Sequence, residues 1–366
     1  MITTKVKEKE VSQRIVADFS QFTIYCGLDV HKKNWNVSVY VDGLFARRFQ
    51  QPSNAEALLT FLQSNYPNGK YKACYESGFC GFSVQRSLQS VGIDCIVVNA
   101  ADVPQTSKGA LSKTDSSDSK RIAEAFAKGL LRPIHIPLAE DEADRNLIRY
   151  RKRVQKDLKA KKQIIKSTLN ILGISIPAQH DKSYWTNNFI QWVNDIKTQS
   201  TSTNTTLSLC VGDVKGLRKR LFEINKLIKQ MADSDKYNAR HELLVSVPGI
   251  GLITAMTMIT EVQDIKRFDS FDKFNSYIGL CPSEFSSGEQ IRKGKMTTRC
   301  HKELRSLIIE AAWIAIRHDP ALTQKFAELI TVKTKKRAIV AIAKKLLSRI
   351  YSIWYNNIKY EKGIVK

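Results

Sequence analysis

The chain has 366 residues, 43% of them hydrophobic, and carries 58 Lys and Arg against 35 Asp and Glu, a formal net charge of +23. That length holds two or three domains with cores of their own, and so large a charge excess repels itself in a compact fold unless a polyanion neutralises it, which makes nucleic acid the expected partner. No apolar run reaches the roughly 18 residues of a membrane span, and neither a basic amphipathic N-terminal helix nor a lipidation motif points to a membrane surface.

The first residues, MITTKVKEKEVSQR, are charged and lack the apolar core of a secretory signal. The seven cysteines, 26, 74, 80, 95, 210, 281 and 300, form no CxxC pair, so reduced core thiols in a cytoplasmic protein are expected rather than disulfides or zinc. Phe22–Leu28 is apolar or β-forming, HKKN is a polar turn, and Trp35–Val41 alternates large apolar with small or polar side chains, so Phe22–Val41 reads as a β-hairpin. Asp29 stands where the first strand ends. A carboxylate there is either a turn former or a group that needs a partner such as a cation, and the hairpin alone does not separate the two. Asp42-Gly43 turns into a third strand, Leu44–Phe49, and completes an antiparallel meander. Ser53 or Asn54 caps a helix over AEALLTFLQSNY, stopped by Pro67 and Gly69. Lys72–Tyr75 is a short strand ending at Glu76, Val84–Val91 a helix, and Ile93–Val98 a further strand. Three antiparallel strands followed by strands alternating with helices imply a mixed α/β sheet covered by helices, with Asp29 and Glu76 at one of its edges.

Asn99–Lys113 has no period and reads as a loop. After it, in KTDSSDSKRIAEAFAKGL, Ser112 or Thr114 caps a helix that carries Asp115 and Asp118 at i and i+3 on one face. Either the helix dipole or a divalent cation offsets their repulsion. Leu138–Leu172 spaces Leu147, Ile148, Val154, Leu158, Ile164, Ile165 and Leu169 for a long amphipathic helix whose middle, RYRKRVQKDLKAKKQIIK, is densely basic. Gly216–Met231 is a second such helix, separated from the first by the polar segment Thr198–Thr206, and the two form either an intramolecular bundle or a coiled coil that dimerises. Trp185 and Trp192, between them, read as core. In LLVSVPGIGLITAMTMITEV, Pro248-Gly249-Ile250-Gly251 lies between apolar helices, the pattern of a helix-hairpin-helix, where Gly249 and Gly251 let backbone N–H groups approach a phosphate. Next come a helix start at FDSFDKF, a Gly-Leu-Cys-Pro break, a Ser-Ser-Gly loop, a basic segment and an apolar helix. His301 reads as a surface histidine, and the final KTKKRAIVAIAKKLLSRIYSIWY as a basic amphipathic helix.

GLDVHKK at Gly27–Lys33, CYESG at Cys74–Gly78 and KTDSSDSKRIAE at Lys113–Glu124 resemble the DEDD domain of bacterial insertion-sequence transposases of the insertion sequence 110 type, the group described as bridge-RNA-guided recombinases. SVPGIGLITA at Ser246–Ala255, and the stretch from RFDSFDKF through YIGLCPSEFSSG to KELR, resemble the C-terminal transposase domain of the same group. The resemblance implies an α/β plus all-α architecture. It would comprise an RNase H-like (RuvC-like) nuclease domain over 20–137, a helical or coiled-coil dimerisation segment over 138–240, and a mainly helical transposase domain over 241–366. The four acidic positions of the group fall on Asp29, Glu76, Asp115 and Asp118, which would hold Mg²⁺ or Mn²⁺, hard cations suited to oxygen-only ligands. Its nucleophilic serine falls on Ser287, before Gly288, with Ser286 adjacent. The chain departs from the group at Thr298-Arg299-Cys300-His301, where a Lys-x-Gly-Asn/Asp pattern is usual before Leu-Arg.

The expected function is therefore DNA strand cleavage and rejoining through a phosphoserine link, by a homo-oligomer (dimer or tetramer) associated with the nucleoid and guided by a structured RNA. Arg151, Lys152, Arg153, Arg292, Lys293, Lys295 and Arg305 are expected to hold nucleic-acid backbones from basic helices over Arg149–Lys166, Arg292–Arg305 and Lys333–Arg349. Two rival readings are a resolvase-like nuclease that uses metal-activated water, and a non-catalytic architectural protein with the same basic surfaces.

Overall fold

A computed structural model describes residues 18–104, 115–180, 185–287 and 290–363, and the chain divides into two compact units, residues 1–136 and 137–366. The first unit is built on a five-stranded sheet of β1 (Thr23–Val30), β2 (Asn34–Val41), β3 (Leu44–Pro52), β4 (Lys70–Glu76) and β5 (Asp94–Val98), in the order β3-β2-β1-β4-β5. The first three strands pair antiparallel, whereas β4 runs parallel to both β1 and β5. This is the mixed sheet expected from the order of elements. At the β2–β3 turn Asp42 and Gly43 both take positive φ, 48° and 78°, as a two-residue hairpin whose twist matches its strands requires. Asn54, not Ser53, caps α1 (Ala55–Asn65), its side chain accepting from the N–H groups of Glu56 and Ala57. The caps proposed at Ser112 and Thr114 lie outside the described residues.

Strand alternation sorts this sheet into two faces. Ile24, Leu28, Val37, Val39, Tyr75 and Val97 point toward α1 and α2 (Ser83–Ser90) and pack on Leu58, Leu62 and Leu88. On the opposite face Cys74 and Val98 pack with Ile122 and Ala125 of α3 (Asp115–Ala127). Asp29 and Glu76, odd with respect to Leu28 and Tyr75, therefore belong to the α3 face.

The second unit is mainly helical. Its longest elements, α4 (Ala139–Ile171) and α6 (Thr201–Ala232), form an antiparallel hairpin within the chain. Leu158, Ile165 and Leu169 meet Leu207, Val211 and Val214 at one end, and Ile148 and Val154 share a core with Ile224 and Ile228 at the other. Polar Thr198–Thr206 reads as a separator, but the helix begins inside it at Thr201. Ser200 caps that start by accepting from the Thr203 N–H, and the Thr205 and Thr206 hydroxyls donate to the carbonyls of Thr201 and Ser202 at 2.9 and 2.8 Å. Trp185 and Trp192 pack on Phe189 of α5 (Asn187–Asp195), with ring centroids 4.7 and 5.6 Å away, and lie half-buried against that core rather than inside it.

Further on come α7 (Asn238–Val245), α8 (Leu252–Val262) and α9 (Phe271–Ile278), a hairpin of β6 (Pro282–Ser287) and β7 (Gln290–Met296), then α10 (Lys302–His318), α11 (Pro320–Val332) and α12 (Lys335–Asn356). Two expectations are corrected here. Ser286 and Ser287 lie in a strand rather than a loop, paired with Ile291 and Gln290. Arg292, Lys293 and Lys295 lie on β7 and not on a helix; Gly294 in their midst disfavours helix, and the antiparallel partner β6 supplies their backbone hydrogen bonds.

His301 is also not a surface residue. Its side chain is 17% exposed, with Nδ1 accepting from the Leu304 N–H at the start of α10 and Nε2 lying 3.2 Å from Glu261. Glu261, 4% exposed, also accepts two hydrogen bonds from Arg149, at 2.7 and 2.8 Å. Burial alone raises the pKa of this carboxyl, but hydrogen bonds from His301 and Arg149 outweigh that and bring it down from 4.5 to about 2. A folded pKa below the unfolded one contributes stability that is complete above pH 4.5 and is lost as pH falls through about 2. Glu261→Gln is expected to cost about 2 kcal/mol at neutral pH, discounted for the half-exposed Arg149, and to flatten the loss of stability across that acid window. Denaturant unfolding at a series of pH values checks both effects.

Candidate active site and nucleic-acid surfaces

The geometry of the acidic residues begins at Gly27. A Cβ there would lie 2.3 Å from the Ala123 nitrogen and 2.4 Å from the Ser119 carbonyl oxygen, so only glycine lets the α3 backbone rest directly on β1. One strand over, the buried Ser38 and Ser119 hydroxyls hydrogen-bond at 2.9 Å and hold the same turn of α3 against β2. Asp118, next to Ser119, is thereby carried over the strand ends. Asp29 and Glu76 each stand one residue past the parallel pair Leu28 and Tyr75, on strands that lie about 4.8 Å apart. Asp29, Glu76 and Asp118 line a single open recess of about 160 Å³.

Each of two carboxylates there has local partners. Asp29 Oδ2 accepts from His31 Nε2 at 2.9 Å and from Asn36 Nδ2 at 3.3 Å, and Arg121 donates to Asp118 Oδ1 at 2.8 Å. Sequence reading missed Asn36 and Arg121. The hairpin register sets Asn36 directly across from Asp29, so counting back from the turn would have found it. Arg121, at i+3 from Asp118, is an ordinary helix-face partner with no signal of its own. Phe79, 73% exposed, also lines the recess and was not singled out. Asp115 is the first residue of α3, one turn before Asp118; its side chain lies outside the described residues.

As donors, these groups suit a hard divalent cation, since the carboxylates facing the recess offer oxygen alone. Among the described residues no three His, Cys, Asp or Glu side chains converge on one point as they stand. Asp29 and Asp118 are each turned to a neighbouring donor.

Ser287 is the last residue of β6, in the second unit, and Ser286 precedes it; both side chains lie outside the described residues, as do those of Arg292 and Lys293. The other proposed nucleic-acid contacts divide. Arg151 donates to Asn225 and Gln155, and Lys152 pairs with Glu303 at 2.9 Å, so both are engaged within the unit, while Arg153 and Lys295 are exposed. Arg305 donates to the carbonyls of Gly279 and Thr297, tying the end of α9 to the end of the hairpin. Gly249, with φ +87°, abuts α10, a Cβ there falling 2.4 Å from the Ala311 carbonyl oxygen. Gly251, which begins α8, faces open space. Cys300, where the chain departs from the insertion-sequence pattern, packs on Gly279, since a Cβ at that glycine would lie 2.3 Å from the Cys300 Cβ.

Residues 26–174 match the DEDD transposase domain of IS110 elements, and residues 241–327 match the transposase IS116/IS110/IS902 family. The chain is 24% identical over 356 residues to the transposase for insertion sequence element IS1533 of Leptospira borgpetersenii, covering 94% of this chain and 99% of that protein. It is 29% identical over 263 residues to the pilin gene-inverting protein of Moraxella bovis, covering 70% of this chain and 71% of that one. The transposase for element IS1111A of Coxiella burnetii is 24% identical over 282 residues, 76% of each chain. The DEDD match points to dependence on a divalent metal. Among the described residues no helix is long and apolar enough to cross a membrane.

Proposed function

Because the chain belongs to the IS116/IS110/IS902 family of insertion-sequence DNA transposases, we propose that it cuts and rejoins DNA by serine phosphoryl transfer beside a metal-binding carboxylate cluster. The observation that carries this reading is the meeting of Asp29, Glu76 and Asp118 at one recess, at the C-terminal ends of β1 and β4 and under α3. The sheet order and the helix laid across it support an RNase H-like (RuvC-like) domain over 20–137, followed by a helical segment over 138–240 and a transposase domain over 241–366. Asp29, Glu76, Asp115 and Asp118 would hold Mg²⁺ or Mn²⁺, which when bound polarises the scissile phosphate and offsets the charge that develops on it.

Ser287 Oγ then forms a bond to the scissile phosphorus as the bond to the leaving strand's oxygen breaks; the serine gives up its proton and the leaving oxygen takes one. A hydroxyl of a second strand attacks the phosphoserine, rejoins the backbone and returns the serine to its starting form. Ser287 and the carboxylates belong to different compact units, and the family resemblance implies that they act together as one composite centre, from one protomer or from two. Selection of the DNA by a structured RNA rests on the family resemblance, and the +23 charge leaves capacity for a second polyanion.

Strand exchange on DNA carrying the element's ends, with Mg²⁺ present, tests the proposal. Ser287→Ala is expected to lose both exchange and covalent attachment, while Ser286→Ala keeps them. Strand cleavage that survives in Ser287→Ala would instead favour water as the nucleophile.

A further inference from the structure

A groove of about 950 Å³ runs between the β6–β7 hairpin and the start of α12 in the second unit. Its rim carries Lys333, Lys336, Arg337 and Lys344, all exposed, and its floor includes Leu280, Pro282, Met296 and Val340. No carboxylate lines it among the described residues, and none of those four cations has an ion pair with a described carboxylate. Lys336, Val340 and Lys344 stand at i, i+4 and i+8, one side of α12, so its cations span about 12 Å along the groove. The face that seats the helix in the core is a different one, through Ile339, Ile342, Ala343 and Leu346.

A solvated helix face would carry such lysines without a concave apolar floor between them and a second element. We propose that this groove seats a single strand of DNA, its phosphates on the rim of α12 and its bases and sugars on the apolar floor. A duplex keeps its bases stacked inside, whereas an unpaired strand exposes the apolar base faces that fit that floor. The groove lies at the foot of the hairpin, and β6 carries the proposed nucleophile Ser287 about 17 Å further on, so a strand held there is anchored at the base of the element that presents the serine. DNA as the occupant rests on the family; the strand's relation to chemistry rests on the serine reading.

Binding is measured with full-length Ser287→Ala protein, which separates it from turnover. Fluorescence anisotropy reports on a short labelled single-stranded DNA, its duplex, and an RNA of the same sequence. Adding K336E, R337E and K344E is expected to weaken single-strand binding more than about tenfold near 0.1 M salt, and to lower the salt slope by about 2, roughly 0.7 per lost contact. K219E, R220E and K226E on exposed positions of α6 make the same change in net charge and are expected to leave binding within about twofold. Equal losses in both sets, unchanged single-strand binding, or a loss confined to duplex or to RNA would each overturn the proposal. Thermal unfolding confirms that the variants fold, and K336Q, R337Q and K344Q give the same reading should the reversed charges disturb α12. Failure of the serine chemistry with strand binding intact would count against the catalytic reading alone.

Discussion

Asp29→Asn and Glu76→Gln are expected to lose strand cleavage by about 10³-fold while binding nucleic acid as before. Each change keeps the shape of the side chain and removes one negative charge facing the recess. At an effective dielectric near 20, one unit charge about 4 Å from another is worth about 4 kcal/mol, and each 1.36 kcal/mol is a decade in rate, so roughly three decades follow. Asp118→Asn shares the expectation, since its carboxylate lines the same recess. Binding should survive because the basic surfaces that supply most of the affinity are untouched. Single-turnover cleavage and anisotropy, run side by side, check the split. Chelation of divalent ions should mimic the substitutions, and restored Mg²⁺ should rescue only the unsubstituted protein. Cleavage within tenfold of the parent in either variant would remove these carboxylates from the chemistry.

Gly27→Ala should destabilise the first unit by about 3 kcal/mol. The added methyl would lie 2.3 to 2.7 Å from backbone atoms of Ser119 and Ala123, and no rotamer change relieves a contact with backbone. The helix must move off the sheet, which also strains the Ser38–Ser119 hydrogen bond and draws Asp118 away from the strand ends. Overpacking commonly costs 1 to 3 kcal/mol, and a backbone obstacle sets this case near the upper end. Urea unfolding is the readout, and a midpoint equal to the parent's would show that α3 is not held as described. The role of this glycine thus lies in the site as much as in stability, since it fixes how closely the helix that carries Asp118 approaches the strand that carries Asp29.

Much of this was legible in the chain. Alternation over Phe22–Val41 and the Asp42-Gly43 turn gave the meander, and period-2 segments alternating with helical ones gave the mixed sheet, because those patterns are local. The ends of β1 and β4, and so the positions of Asp29 and Glu76, followed from where the apolar runs stop. What escaped depends on contacts distant in sequence. Ser38 is joined to Ser119 across 81 residues, and His301 is drawn inward by Glu261 from another helix. Ser286 and Ser287 resemble a loop by composition and lie in a strand because β7 supplies their hydrogen bonds. Thr201–Thr206 resembles a linker, and its hydroxyls instead bond back along the helix they begin. Sequence also offered Gly249 and Gly251 as equivalent, whereas one is pressed against α10 and the other opens to solvent.

The most direct test maps the covalent link itself. Full-length protein is allowed to react with DNA carrying the element's ends and is quenched with denaturant, and the attached strand is trimmed and located by peptide mass spectrometry. A phosphodiester remnant on Ser287, formed only with a divalent metal and absent from the Asp29→Asn protein, is the predicted result. Cleaved DNA without any attached protein, or a remnant on Ser286 or another residue, would contradict the account.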